Sequence, residues 1–418
     1  MVELLQFARF YYVSEWVGLL LVVAAVVALN RAFGLRYVNA LVPSQIIFIF
    51  NAVPIIAGFV DDYLGIDRVL HFFLTEFAFI AAICAVYVRL IKMARSKEQL
   101  IIRYFSGLTP YVIIAIALML AVFVYAVTPQ DGTSRIEYQT NYWYSLVKPV
   151  VQIFGPVAYL SVFIVLFVHN RRGLAYAILI ANIAGSVASG SKGAFVINAV
   201  TALLMVRDLE LTSKFRLNRI DVVIAVAGLS VGLVLTLQRL KLTVADLWDR
   251  IMLFGEPTLL TYFAPDPTAA CRSLTLLAKM HRGWARMLGD PTALNIDTLF
   301  GYAWTIQYVG VNTFTGPNAR YSAYLMCNFP GFGIMFGLIM TVLYLVLISG
   351  AVKTADRQNR FFPVVYAFAV FSMTTAGQDF NLLMQDINFL IGMTIVIALL
   401  PRVRAALEPE PSSHHEAV

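Results

Sequence analysis

The chain predicts an all-α, polytopic membrane protein of about eleven transmembrane helices, on three observations. Of its 418 residues, 60% are hydrophobic and only 13% charged, which leaves little surface for water. Apolar runs of about 17 residues or more, long enough to cross a bilayer as helix, recur along nearly the whole chain. Arginines and lysines gather in alternate connections between those runs. A mean hydropathy of +0.77 excludes a soluble globular chain.

The predicted spans fall near 12–29, 40–60, 70–91, 107–127, 150–169, 174–189, 193–207, 220–236, 329–349, 361–377 and 385–401. The first follows an acidic and aromatic leader without a small-residue cleavage pattern, so it is expected to stay as an anchor. Its Met1–Tyr12 leader suits an interfacial helix or the start of a longer, tilted span. The second and third carry Asn51 and Glu76, and the sixth carries Asn182. These polar groups are expected to hydrogen-bond between helices, with Glu76 a rare acid within a span. No internal repeat at a fixed period is visible, which disfavours a transporter built from symmetric halves.

Charge sets the sides. Arg31 and Arg36, Lys92 to Arg103, Arg171 and Arg172, Arg207 to Arg219, Lys353 to Arg360, and Arg402 and Arg404 all fall on one face, read as cytoplasmic. An odd number of spans then puts the N-terminus outside and the C-terminus inside. The organisation is membrane helices over 1–236, a large periplasmic loop with amphipathic helices over 237–328, membrane helices over 329–401, and a cytoplasmic tail over 402–418 that is expected to be disordered. Cys84 falls inside the third span. Cys271 and Cys327 fall outside, where an oxidising compartment permits a disulfide, although buried unpaired thiols are the expectation.

The segment from about Leu237 to Leu325 is the only long polar stretch, and its basic excess on the outer side suits either an anionic partner or a long loop that crosses the membrane largely regardless of charge. Thr268–Leu288 reads as an amphipathic helix opened by Asp266-Pro267. Arg272, Lys279, Arg282 and Arg286 fall within roughly an 80° arc of it. Such a stripe suits either a surface helix whose arginines meet lipid headgroups or one that guides a lipid-linked phosphate into a cleft. His281 lies on its apolar side. Upstream, Ala245–Phe263 reads as a second helix that Gly255-Glu256-Pro257 should break, leaving Glu256 to project into a cleft or to cap the next helix.

Three further features carry polar groups on the outer side. The turn Ser189-Gly190-Ser191-Lys192-Gly193 can bring backbone amides and a lysine to an anion, but it lacks the residue order of a nucleotide-binding loop. The run Gly310 to Tyr321, with Asn312, Thr313, Arg320 and Tyr321, suits a hydroxyl-rich sugar. The last outer loop, Gly377-Gln378-Asp379-Phe380-Asn381, adds a carboxylate.

Taken in order, Ser191-Lys192-Gly193, Arg250-Ile251, Asn312-Thr313-Phe314-Thr315 and Phe329-Pro330-Gly331-Phe332-Gly333 resemble the motifs of the Wzy-type O-antigen polymerases. The resemblance covers about the latter half of the chain. Lys192 stands where arginine is more usual, and Asn328 where an acid is usual, so no catalytic carboxylate is carried to that position. The resemblance implies a GT-C-like fold and a glycosyltransferase on the outer face of a bacterial inner membrane. Its substrates would be undecaprenyl-pyrophosphate-linked oligosaccharides, its surroundings membrane lipid, and its candidate protein partners chain-length regulators and flippases. Nucleic acid is not expected.

The chemistry makes independent sense of the residue types. Breaking the anomeric C–O bond develops negative charge on the departing pyrophosphate, which Lys192, Arg239, Arg250, Arg282 and Arg320 are placed to stabilise without a metal or cofactor. Asn312, Thr313 and Tyr321 are the candidates for sugar, and His281, Glu256 and Asp379 the candidates for the base that activates the acceptor hydroxyl. Three rival readings remain: a ligase with the same donor and another acceptor, a polysaccharide flippase or transporter, and a structural membrane partner of a polysaccharide assembly complex without catalysis of its own.

Overall fold

The structure, a computed structural model, describes residues 13–107, 109–127, 142–188, 192–211, 256–269, 275, 278, 282–291, 320–359, 361–377 and 380–407. All regular structure among these residues is helical. Helices cover each predicted span except 220–236, which lies outside the described residues. Among the described residues five helices are long and apolar enough to cross a membrane, or up to six if the bent pair Glu98–Ser106 and Thr109–Leu120 counts as one span. The chain is a helical, multi-pass membrane protein.

Helices α1 (Val13–Ala32) and α2 (Val42–Val60) form a hairpin. Their buried amides lock them together at one end, Asn30 Nδ2 donating to Gln45 Oε1 at 3.1 Å and Gln45 Nε2 to Asn30 Oδ1 at 2.8 Å. At the other end Ser14 Oγ donates to Asp61 at 2.7 Å. Within α2 the Asn51 amide donates to Ile47 O, one turn back on its own helix. Helix α3 (Ile66–Ser96) has 31 residues, a length of about 46 Å. It outruns the predicted 70–91 at both ends, because Arg68, Lys92 and Arg95 interrupt the apolar run without interrupting a helix.

The chain continues through α4 (Glu98–Ser106), α5 (Thr109–Val127), α6 (Tyr142–Phe167), α7 (Arg172–Ala188) and α8 (Lys192–Asp208). Short helices α9 (Glu256–Phe263), α10 (Arg282–Met287) and α11 (Tyr321–Asn328) follow, then α12 (Gly333–Gln358), α13 (Phe362–Thr375) and α14 (Phe380–Leu407). Helix α9 begins at Glu256, where the break was expected. The predicted helix over Thr268–Leu288 is not continuous, since Thr275 is not helical. Its hydroxyl accepts from Ala278 N at 3.1 Å, a capping bond that restarts the chain there.

The two ends of α3 hold different chemistry. At its C-terminal end Arg95 and Arg36 share Glu210, at 2.9 and 3.0 Å, while Lys97 meets Asp356 at 2.7 Å. Connections expected on one face of the membrane therefore do share one end of the bundle. At the other end α9 and α11 are drawn into the bundle. Arg68 Nη1 donates to the carbonyls of Tyr262 and Ala264 at 2.6 and 2.7 Å, and Nη2 to Pro265 O at 3.3 Å, so a guanidinium caps the C-terminus of α9. We expect Arg68→Ala to loosen α9 by roughly 2 kcal/mol, read as faster amide exchange over 256–263 with the spans unchanged. Unaltered exchange there would sink the assignment.

Close approach depends on missing side chains. A Cβ on Gly58 would lie 2.6 Å from the Phe263 ring, and one on Gly337 the same distance from Leu325. Small residues of the long helices thus admit α9 and α11 as they admit neighbouring helices in membranes generally. Residues Tyr321 to Cys327 of α11 are all buried, so the end of the outer segment is a core element. Cys327 is disulfide-bonded and Cys84 free, which corrects the expectation of unpaired thiols on the outer side.

Candidate functional site

Where α9 and α11 enter the bundle they bring a cation to an acid. Arg320 immediately precedes α11, and Glu76 lies ten positions into α3, about 15 Å from its first residue. Arg320 is 1% exposed and Glu76 fully buried. Arg320 Nη2 donates to Glu76 Oε2, while Glu76 Oε1 accepts from Ser322 N at 3.3 Å. The Arg320 main chain is fixed as well, its N–H donating to Thr258 Oγ1 of α9 at 2.9 Å. A carboxylate inside a bundle needs a partner cation, and Arg320 satisfies that need.

The guanidinium is not saturated. Nε and Nη1 of Arg320 are buried and have no hydrogen-bond partner among the described residues. Its carbon sits 5.9 Å from the centroid of the Phe48 ring, and a Cβ on Gly377 would lie 3.2 Å from Nη2. Phe48 belongs in turn to an aromatic layer, stacked on Phe72 at 6.1 Å, and Phe72 meets Tyr262 edge-on at 5.4 Å.

A histidine stands beside this pair. His71 Nδ1 lies 2.9 Å from the Tyr262 hydroxyl, and His71 Nε2 is buried without a partner among the described residues. Burial pushes the Tyr262 phenol well above its ordinary value, so it stays a neutral hydroxyl. The same holds for Tyr321, whose hydroxyl lies 3.1 Å from Thr341 Oγ1 and 3.2 Å from Gly337 O.

Of the residues singled out from sequence, Arg320 is thus buried on an acid with two free donors. Tyr321, expected to meet sugar, is fully buried with its hydroxyl engaged, and packs α11 against α12. Lys192, Glu256 and Arg282 open α8, α9 and α10, and only their main chains are described. His281, Asp379, Arg239, Arg250, Asn312 and Thr313 lie outside the described residues. Glu76 gains weight as the counter-ion of Arg320, and Phe48 was missed as its neighbour. Among the described residues no group of three or more His, Cys, Asp or Glu could hold a metal ion.

A guanidinium held rigidly at its main chain and by one Nη, with other N–H groups free, is suited to a phosphoryl or carboxylate oxygen. Comparison with family models, with curated proteins and with solved structures gives no match.

Proposed function

We propose that the chain is a glycosyltransferase that joins oligosaccharide repeat units carried on undecaprenyl pyrophosphate, at the outer face of a bacterial inner membrane. The observation that carries the reading is the buried Arg320, with free Nε and Nη1, at the sequence end of the polar segment whose motifs resemble those of Wzy-type polymerases. In this reading Arg320 stabilises the charge that grows on the departing pyrophosphate. Lys192, Arg239, Arg250 and Arg282 supply further positive charge, Asn312 and Thr313 meet sugar, and His281, Glu256 or Asp379 takes the proton of the acceptor hydroxyl. The disulfide at Cys327 supports an oxidising side for α11, and the shared end of Arg36, Arg95 and Lys97 supports a cytoplasmic one for the opposite end.

Purified protein in detergent, given lipid-linked repeat units without nucleotide or other proteins, is expected to build a ladder of products. Cysteine labelling should place 240–325 outside and the C-terminal tail inside. A cytoplasmic long segment would end this reading.

One observation favours transport instead. Asp386, buried in α14, accepts from Ser372 Oγ at 2.9 Å, and Ser372 lies 2.6 Å from the Tyr344 hydroxyl, a polar chain across three helices of the kind that proton-coupled transporters use. Uptake into vesicles without any ladder would select it.

A further inference from the structure

Helices α1, α2 and α3 together border a cavity of about 390 Å³. It is lined by Leu21 and Ala25 of α1, Phe48 and Ile56 of α2, and Leu70 and Phe77 of α3, without a charged group. This volume is within the range of small-ligand sites, about 300–1,000 Å³. Leu21 is 56% and Leu70 48% exposed, so the groove opens sideways, where a membrane presents hydrocarbon. Its inner wall is Phe48, whose ring also carries the Arg320 guanidinium 5.9 Å from its centroid. One aromatic side chain therefore separates a lateral apolar groove from a buried cation with two unpartnered nitrogens.

We propose that this groove holds the hydrocarbon chain of a lipid phosphate whose phosphoryl oxygens reach Arg320 past the edge of Phe48. The inference rests on the reading of the substrate as lipid-linked pyrophosphate and adds where its chain lies. Two requirements meet there. A long isoprenoid chain needs an apolar channel open to the bilayer, and its phosphate needs donors at the channel's inner end. Leu70, Phe73, Leu74 and Phe77 of α3 line the groove while Glu76 of the same stretch pairs with Arg320, so chain and cation lie at the same depth.

The test is photolabelling of the full-length protein in vesicles by a polyprenyl monophosphate that carries a diazirine in its chain, followed by mapping of the labelled peptides. Label is expected on α1, α2 and the first half of α3, displaced by unlabelled polyprenyl phosphate but not by polyprenol or phosphatidylglycerol. Ala25→Trp fills the groove, and losing contact with even two or so methylenes should weaken labelling about tenfold. Val346→Trp, the same change on a lipid-facing position of α12, should leave labelling unchanged. Because removal of Arg320 alone strands Glu76, the double change Arg320→Met with Glu76→Gln tests the cation, and should let polyprenol compete as well as the phosphate. Label elsewhere, equal displacement by phosphatidylglycerol, or equal displacement by polyprenol in the native protein would each overturn the proposal. A labelled groove in a protein that builds no ladder retires the polymerase reading alone, whereas a ladder with label elsewhere retires the groove alone.

Discussion

Arg320→Met is expected to destabilise the folded protein by about 3–5 kcal/mol, because it leaves a carboxylate buried without its cation. Glu76 is fully buried, and Arg320 and Ser322 N hold its two oxygens. Glu76→Gln should cost less, since an amide oxygen still accepts from either donor, although the guanidinium then lacks its counter-charge. The double change Arg320→Met with Glu76→Gln should recover most of the loss, because a buried pair returns in Coulomb energy little more than its desolvation costs. Thermal unfolding in detergent checks the cycle, and near-additive single effects would mean that the two side chains do not pair. Activity separates a second question. If Arg320 faces phosphate, the refolded double variant should still lose on the order of 2 kcal/mol of transition-state stabilisation, about thirtyfold in rate. A double variant that builds ladders at the native rate would leave Arg320 a structural residue.

The helices were legible because a membrane span must satisfy its backbone inside hydrocarbon, and twenty or so apolar residues in a row announce that, although only five or six among the described residues are long and apolar enough to cross. Helix α2 lies within two residues of its predicted bounds. Helix α12 starts at Gly333, later than the predicted 329, because Phe329 to Phe332 around Pro330 form a turn that hydropathy alone cannot separate from the helix. The site was legible only in halves. Arg320 stood out by motif and Glu76 by its rarity within a span, but a separation of 244 positions hides their contact. Helix α11 offered a signal that was not used. Tyr321-Ser322-Ala323-Tyr324-Leu325-Met326-Cys327 has no charged residue on any side, and a helix that is apolar all round is a buried one. Read that way, the residue before it becomes a cation carried into the core rather than a loop arginine. The groove beside Phe48 had no signature at all, since lipid-facing and groove-facing leucines look alike in sequence.

Gly333→Ala is expected to reverse the usual sign of a glycine-to-alanine change in a helix. Within α12 that change ordinarily stabilises by roughly 0.5–1 kcal/mol, and Gly350, with nothing within 4 Å of a built Cβ, should show that gain. At Gly333 the new methyl would lie 2.6 Å from His71 Nε2 and 3.2 Å from Leu325 O. The carbonyl is main chain and does not yield. The imidazole can move only by giving up the 2.9 Å contact between Nδ1 and Tyr262, within a site that is nearly closed to solvent. Overpacking of this kind costs about 1–3 kcal/mol, which exceeds the helix gain, so the net effect should be a loss. Shrinking the ring in the same background, His71→Ala, should remove most of that loss, giving a coupling of at least about 1 kcal/mol between the two positions. The readout is unfolding of the four proteins in one detergent, with Gly350→Ala as reference. If Gly333→Ala stabilises as Gly350→Ala does, then α12 does not press on His71, and the junction of α3, α9 and α12 that frames Arg320 is looser than the structure describes.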